Sequence, residues 1–324
     1  MPGLPGASPG NFQQRTAAPN LSTLNLYLVC VLIWGSTWIA ITFQLGSVAP
    51  ETSVFYRFLL ASLILFAFCK ARGLGLAFSA RQHALMAMQG VLMFSVSYIM
   101  VYYAEAYVVS GLVAVGYSAS PLLNMLGVRL LYGTPMSLRV TLGALLGMAG
   151  IALVFWPEFS TLAGDSKVVL GATYTALAVV ISAVASTLVA RNTHNSLPVW
   201  QTMAWGMLYG SICSLAIILV TGKSLRFEWT VPYVASLLYL TVFGSVLAFA
   251  GYYTLLARIG AGRAGYIGVM VPVIALFISA LFEGFRWHAA TWAGVALSLA
   301  GNVIILRKTG APPAPAGSAP ARSS

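Results

Sequence analysis

The sequence predicts an all-α integral membrane protein, ten transmembrane helices arranged as two inverted five-helix repeats around a central cavity. Three observations lead there: an apolar composition, apolar stretches of bilayer length that recur with short polar breaks, and self-similarity between the two halves. Of 324 residues, 59% are hydrophobic and 7% charged, against about 25% charged in soluble globular chains. The mean hydropathy is +0.88. A helix needs about 20 mostly apolar residues to cross a hydrocarbon core of roughly 30 Å. Ten stretches meet that need, at 24–44, 51–70, 83–104, 108–131, 138–156, 168–191, 197–221, 230–257, 261–283 and 288–307.

The elements group simply. Residues 1–23, opening on Pro2, Gly3, Pro5 and Gly6, and residues 308–324, rich in Pro, Ala and Ser, hold too little apolar surface to offset ordering entropy. They are expected to be disordered tails. Residues 24–156 form the first repeat, 157–167 a linker and 168–307 the second repeat. No loop is long enough for an extramembrane domain, so function is expected within the bundle. The first apolar run is long and is followed by nine more, which reads as a retained helix rather than a cleaved signal.

A net charge of +11 would suggest nucleic acid in a soluble protein. With the N terminus inside, however, twelve Lys/Arg fall on the cytoplasmic side and four outside (Lys167, Lys223, Arg226 and Arg286), with Arg57 alone within a span. That is a positive-inside bias, and it leaves no basic face for nucleic acid. Both termini are thereby expected in the cytoplasm of a bacterial cell, with the chain in the inner membrane. Cys30, Cys69 and Cys213 fall inside spans and read as small apolar residues, not as a disulfide framework or metal cluster.

Reading the second half against the first with a shift of 151 residues pairs Tyr102 with Tyr253, Gly111 with Gly262, Pro121 with Pro272, Gly133 with Gly284, Gly143 with Gly294 and Gly150 with Gly301. Five helices per half is an odd number, so the halves enter the membrane in opposite directions. Inverted repeats of this kind are typical of secondary transporters, whose substrate site lies near the midplane at the repeat interface.

The chain also resembles the ten-helix branch of the drug/metabolite transporter superfamily over about residues 24–307. The resemblance rests on Trp34-Gly35-Ser36-Thr37-Trp38, on Arg57-Phe58 after Pro50, on the paired Pro121 and Pro272, on Glu283-Gly284, and on Gly294 to Gly301. Within the superfamily the chain is most similar to bacterial exporters of aromatic amino acids that also pass the dication paraquat. The resemblance implies a basket of ten helices lined by helices 1, 3, 4, 6, 8 and 9, and transport in the outward direction.

Candidate cavity residues are Trp34 with Trp38, Tyr98 with Tyr102, Tyr117 with Asn124, Ser182 with Ser186, Ser245 with Tyr252, and Tyr253, all at helical spacing. Flat rings with polar edges suit stacking and cation–π contact with aromatic amino acids or planar cations. The bland alternative is an interface anchor for each Trp or Tyr and close helix packing for each Ser. Pro121 and Pro272 are candidate hinges, since each removes a hydrogen bond to the carbonyl four residues earlier; a tolerated kink is the alternative.

Deep ionisable groups are scarce. Glu105 is expected near the far interface, and Arg57, the deepest charge, is expected to act in packing or topology. With no midplane carboxylate, facilitated diffusion by alternating access is the expected energetics, with proton-coupled export as the alternative. An intramembrane enzyme is the rival class, but His83, His194, His288 and Asp165 all lie at span ends or in loops, where they cannot serve Ser118 as a base. No metal ligand set or phosphate loop is present in the sequence, and no cofactor is expected. Phosphorylated substrates would require Lys or Arg deep in helices eight and nine, where there is none. The expected partners are therefore a small-molecule substrate and the lipid bilayer. Gly143, Gly147, Gly150, Gly294, Ser298 and Gly301 make small-residue stripes that read as intramolecular packing rather than a dimer face, so a monomer is the expected unit.

Overall fold

The structure is a computed structural model that describes residues 23–133, 138–161, 166–194, 197–264 and 266–306. Among them every regular element is a helix, thirteen of these being α segments. These are α1 (Thr23–Thr42), α2 (Pro50–Ala71), α3 (Ala80–Val91), α4 (Ser97–Glu105), α5 (Ser110–Gly116), α6 (Ser120–Tyr132), α7 (Leu138–Thr161), α8 (Ser166–His194), α9 (Val199–Val220), α10 (Val231–Tyr239), α11 (Ala248–Ala264), α12 (Ile267–Phe282) and α13 (Ala289–Leu306). A π segment, Leu92–Val96, joins α3 to α4. Another, Leu240–Leu247, joins α10 to α11.

Among the described residues, seven helices are long and apolar enough to cross a membrane: Thr23–Thr42, Pro50–Ala71, Ala80–Glu105, Leu138–Pro157, Ser166–Thr187, Val199–Val220 and Val231–Leu255. Ile267–Phe282 and Ala289–Ile305 are shorter apolar helices. The stretch expected to be the fourth span is broken by a 3-10 turn at Tyr117–Ala119. Two boundaries moved. Helix α7 runs on through Pro157 to Thr161, into the stretch assigned to a linker, and α11 continues to Ala264, past the expected break near residue 258. The tails, apart from Thr23, lie outside the described residues.

Local chemistry explains the ends. Pro50 opens α2, where its missing N–H breaks no helical bond. Ser79 and Gln82 form a reciprocal capping box ahead of α3. Gly133 and Gly284, equivalent under the 151-residue shift, both take positive φ, +66° and +71°, which a side chain would strain.

In lipid, helices associate through close packing and hydrogen bonds rather than through the hydrophobic effect. Leu32, Leu63, Leu145 and Leu219 accordingly remain exposed on the outside. The tightest contact joins α7 to α13. A Cβ on Gly150 would lie 2.5 Å from the Gly294 carbonyl, one on Gly143 would lie 2.8 Å from the Gly301 carbonyl, and Ser298 Oγ donates to the Gly147 carbonyl at 3.1 Å. Elsewhere α1 packs on α12, α2 on α9, α4 and α6 on α8, and α5 on α12.

Candidate functional site

A π segment offsets the α-helical register, leaving carbonyls for other donors. In Leu240–Leu247, Trp34 Nε1 of α1 donates to the Gly244 carbonyl at 3.2 Å, and Ser245 Oγ donates to the Leu240 carbonyl at 3.0 Å. Ser245 in turn accepts from Arg57 Nε at 3.1 Å. Arg57 is 1% exposed, with its guanidinium 4.7 Å from the Tyr98 ring centroid and 5.2 Å from that of Phe58. Arg57 is thus packed among rings within the bundle. Glu51 pairs with Lys223 at 2.8 Å and accepts from the Tyr103 hydroxyl at 2.7 Å.

Rings run on from Arg57 in unbroken contact. Phe58 meets Tyr98 at 4.9 Å and Phe94 at 5.2 Å; Phe94 meets Phe249 at 6.0 Å; Phe249 meets Trp34 at 5.3 Å and Tyr253 at 6.4 Å. Tyr252 lies 5.4 Å from Trp34. Trp38 packs on Tyr117 at 5.2 Å, and Ser97 Oγ bonds both the Tyr117 hydroxyl, at 3.1 Å, and Ser182 Oγ, at 2.9 Å. Helices α1, α2, α4, α8 and α11, the 3-10 turn and both π segments thus contribute to one aromatic and hydroxyl surface.

Most candidates therefore come together, though not always in the expected pairs. Ser245 serves Arg57, while Tyr252 serves Trp34. Tyr102 is fully buried and donates to Gln44 Oε1 at 2.7 Å, away from its helical neighbour Tyr98. Ser186 is half-buried on α8, and Asn124 is half-buried on α6 with its Oδ1 enclosed and without a partner. The paired prolines differ: Pro121 begins α6 directly after the 3-10 turn, whereas Pro272 lies inside α12.

Glu105 stands at the end of its span, as the rise along the helix predicts, but it is enclosed there. It is 7% exposed at the end of α4, and neither carboxylate oxygen has a partner. Gln44 Nε2 and Arg57 Nη1 are likewise buried without partners. Glu283 accepts from the Ser110 backbone N–H at 3.1 Å and from Ser110 Oγ at 2.6 Å, and also from Ser279 Oγ, fixing the start of α5 to the end of α12. Phe58, Phe94, Phe249, Ser97, Gln44 and Glu105 were not picked out as site residues from sequence. The helical spacing of Tyr98, Ser182 and Trp34 and the rarity of deep charge pointed to this region, but not to these neighbours. At the opposite end of the bundle, His83 accepts from or donates to the Tyr209 hydroxyl at 2.9 Å and meets the edge of Trp205, as an anchored interfacial residue would.

An apolar helical bundle with an enclosed polar and aromatic interior is the architecture of a membrane transporter. The EamA-like transporter family model matches residues 21–156 and again 170–307, and the chain belongs to that family. Among curated proteins, the chain is 28% identical over 291 residues to the uncharacterized inner membrane transporter YedA of Escherichia coli (strain K12), covering 85% of this chain and 87% of that one. It is 22% identical over 273 residues to the protein PagO of Salmonella typhimurium (80% and 84%), and 21% identical over 278 residues to an uncharacterized transporter of Archaeoglobus fulgidus (86% and 96%). A solved crystal structure shares the fold with a TM-score of 0.64 at 18% identity, over 87% of this chain and 96% of that one.

Proposed function

We propose that this chain is a transporter of the bacterial inner membrane that exports small amphipathic metabolites, aromatic and other neutral amino acids foremost, with paraquat-like planar cations as further passengers. The observation that carries this reading is the continuous ring surface from Tyr98 through Phe58, Phe94 and Phe249 to Trp34, edged by the hydroxyls of Ser97, Tyr117 and Ser182. Such a surface stacks on a planar side chain while the hydroxyls hold polar atoms.

The chain crosses the bilayer ten times in this reading: seven long spans, the broken α5–α6 stretch, α12 and α13. The two halves are inverted about the α7–α13 contact. Under the 151-residue shift, Gly143 on Gly301 and Gly150 on Gly294 are the same contact seen twice, and Gly147 with Ser298 is its centre. The first helix of each half also packs on the other half's fourth stretch, α1 on α12 and α8 on α6. Residues 1–23 and 308–324 are tails in the cytoplasm, placed there by the positive-inside bias. Alternating access is the rocking of one half against the other, with Pro121 and Pro272 as hinges.

Facilitated diffusion rested on the lack of a deep carboxylate. The burial of Glu105 without a partner favours the second reading, proton-coupled export, because a lone carboxyl group within the bundle is the kind of side chain such coupling needs. Proteoliposomes carrying the purified chain should take up labelled phenylalanine, threonine and paraquat, and Trp38→Ala and Tyr102→Ala should each lower the rate about tenfold or more. Rates unchanged in both variants would remove the site assignment. Uptake without any pH gradient would support facilitated diffusion, and uptake only with one would support coupling.

A further inference from the structure

Buried polar groups in a folded chain are almost always hydrogen-bonded, because an unpaired one forfeits its hydration with no return. Three side chains from three different helical regions break that rule at one place. Gln44, 1% exposed just beyond α1, has its Oε1 taken by the Tyr102 hydroxyl at 2.7 Å, but its Nε2 has no acceptor. Arg57, 1% exposed on α2, uses Nε on Ser245 and leaves Nη1 without one. Glu105, 7% exposed at the end of α4, has no donor at either oxygen. Tyr102, which Gln44 holds, lies on α4 between Tyr98, against which Arg57 packs at 4.7 Å, and Glu105, and the three charged or polar side chains lie within electrostatic range of Tyr102. The other charged group facing Glu105 is Glu283, whose carboxylate is occupied by Ser110 and Ser279.

The three orphans are complementary in type: two donors, one of them cationic, and one two-oxygen acceptor. Arg57 and Glu105 do not satisfy each other as an ion pair would. Water could fill individual hydrogen bonds, but it brings no charge to balance either ion in a low-dielectric interior. An inorganic or phosphate anion would meet Arg57 and be repelled by Glu105. A zwitterion carries both charges, sums to zero and meets each side chain with its opposite.

We propose that Gln44, Arg57 and Glu105 bind the head group of an α-amino acid, Arg57 Nη1 and Gln44 Nε2 donating to the α-carboxylate and Glu105 accepting from the α-ammonium. The inference rests on the amino-acid reading of the preceding subsection and sharpens it: the charged head is recognised, and the side chain lies on the ring surface beginning at Tyr98 and Phe58. Selectivity among amino acids then comes from the rings, whereas the demand for an amino acid comes from the three polar side chains.

The test is competition against labelled phenylalanine uptake by the full-length chain in proteoliposomes. The competitors are unlabelled phenylalanine, phenethylamine, which lacks the carboxylate, and 3-phenylpropanoate, which lacks the ammonium. Wild type should prefer phenylalanine over each truncated analogue by about tenfold or more, the scale of one hydrogen bond to a charged group. Glu105→Gln should weaken phenylalanine but leave 3-phenylpropanoate unchanged or stronger, and Arg57→Gln should do the same with phenethylamine. The analogue series on wild type needs neither variant to fold. Equal competition by all three compounds would overturn the head-group site and leave amino-acid transport standing. Uptake of paraquat with no uptake or binding of any amino acid would overturn both.

Discussion

Lys223 shows how one half-buried side chain can hold an end of the bundle. It lies between α9 and α10, with its ammonium on Glu51 of α2 and on the Tyr103 hydroxyl of α4. Desolvation pushes its pKa down, but the bonds to Glu51 and Tyr103 outweigh it, and the net direction is upward from the ordinary lysine value. A raised pKa means that the folded state holds the proton more tightly than the unfolded chain does. The resulting stability is fully present below the unfolded value of about 10.4 and is lost as pH rises through the folded one. At 33% exposure the ion pair is partly screened by solvent, so the effect is modest. In detergent, the Tm of wild type should exceed that of Lys223→Met at about pH 7 to 9 and converge on it above about pH 11. A gap that persists or widens there would contradict the assignment. Residue-level roles were the part least legible in the sequence. Arg57 stood out by its depth, but its partner Ser245 is 188 positions away, and only the folded chain brings the two together. Glu105 was placed near an interface by counting rise along the helix, which gives height but says nothing about which neighbours close over the side chain.

Helices were more legible, because bilayer length and proline or glycine punctuation act locally. The expected first, second and seventh spans agree with α1, α2 and α9 within about three residues. The π segments were not foreseen. Leu92–Val96 maps under the 151-residue shift onto 243–247, within Leu240–Leu247, so both halves carry an offset at the same height. In the second, the offset shows in the Gly244 and Leu240 carbonyls, which the Trp34 and Ser245 side chains satisfy and which periodicity does not report. The glycine stripes read from spacing do become a helix contact. Gly150→Ala would drive a Cβ to 2.5 Å from backbone atoms of α13 and should cost about 1–3 kcal/mol, visible as a lowered Tm in detergent. Gly147→Ala meets nothing within 4 Å and should leave Tm unchanged or slightly raised. Equal losses for both would argue against the α7–α13 packing. The prolines separate by context. Pro272→Ala restores a donor inside α12 and should slow turnover several-fold with substrate affinity unchanged, while Pro121→Ala, at the start of α6, should change turnover less. The reverse order would remove Pro272 as a hinge.

At the scale of the molecule, apolar composition and internal repetition were enough to indicate a membrane bundle, because both are whole-chain properties that survive uncertainty about any contact. The reciprocal Gly143–Gly301 and Gly150–Gly294 contacts join positions that the 151-residue shift relates, on either side of Gly147 and Ser298. Under the proposed function, one half tilts toward either face in turn, and a carrier uses both arrangements in each cycle. A carrier, unlike a pore, returns faster when loaded on the far side. Counterflow tests this most directly: proteoliposomes preloaded with unlabelled phenylalanine and diluted into labelled phenylalanine should accumulate label transiently above its external concentration, several-fold beyond empty vesicles. Label that only equilibrates, at the same rate with or without preloading, would contradict alternating access by this chain.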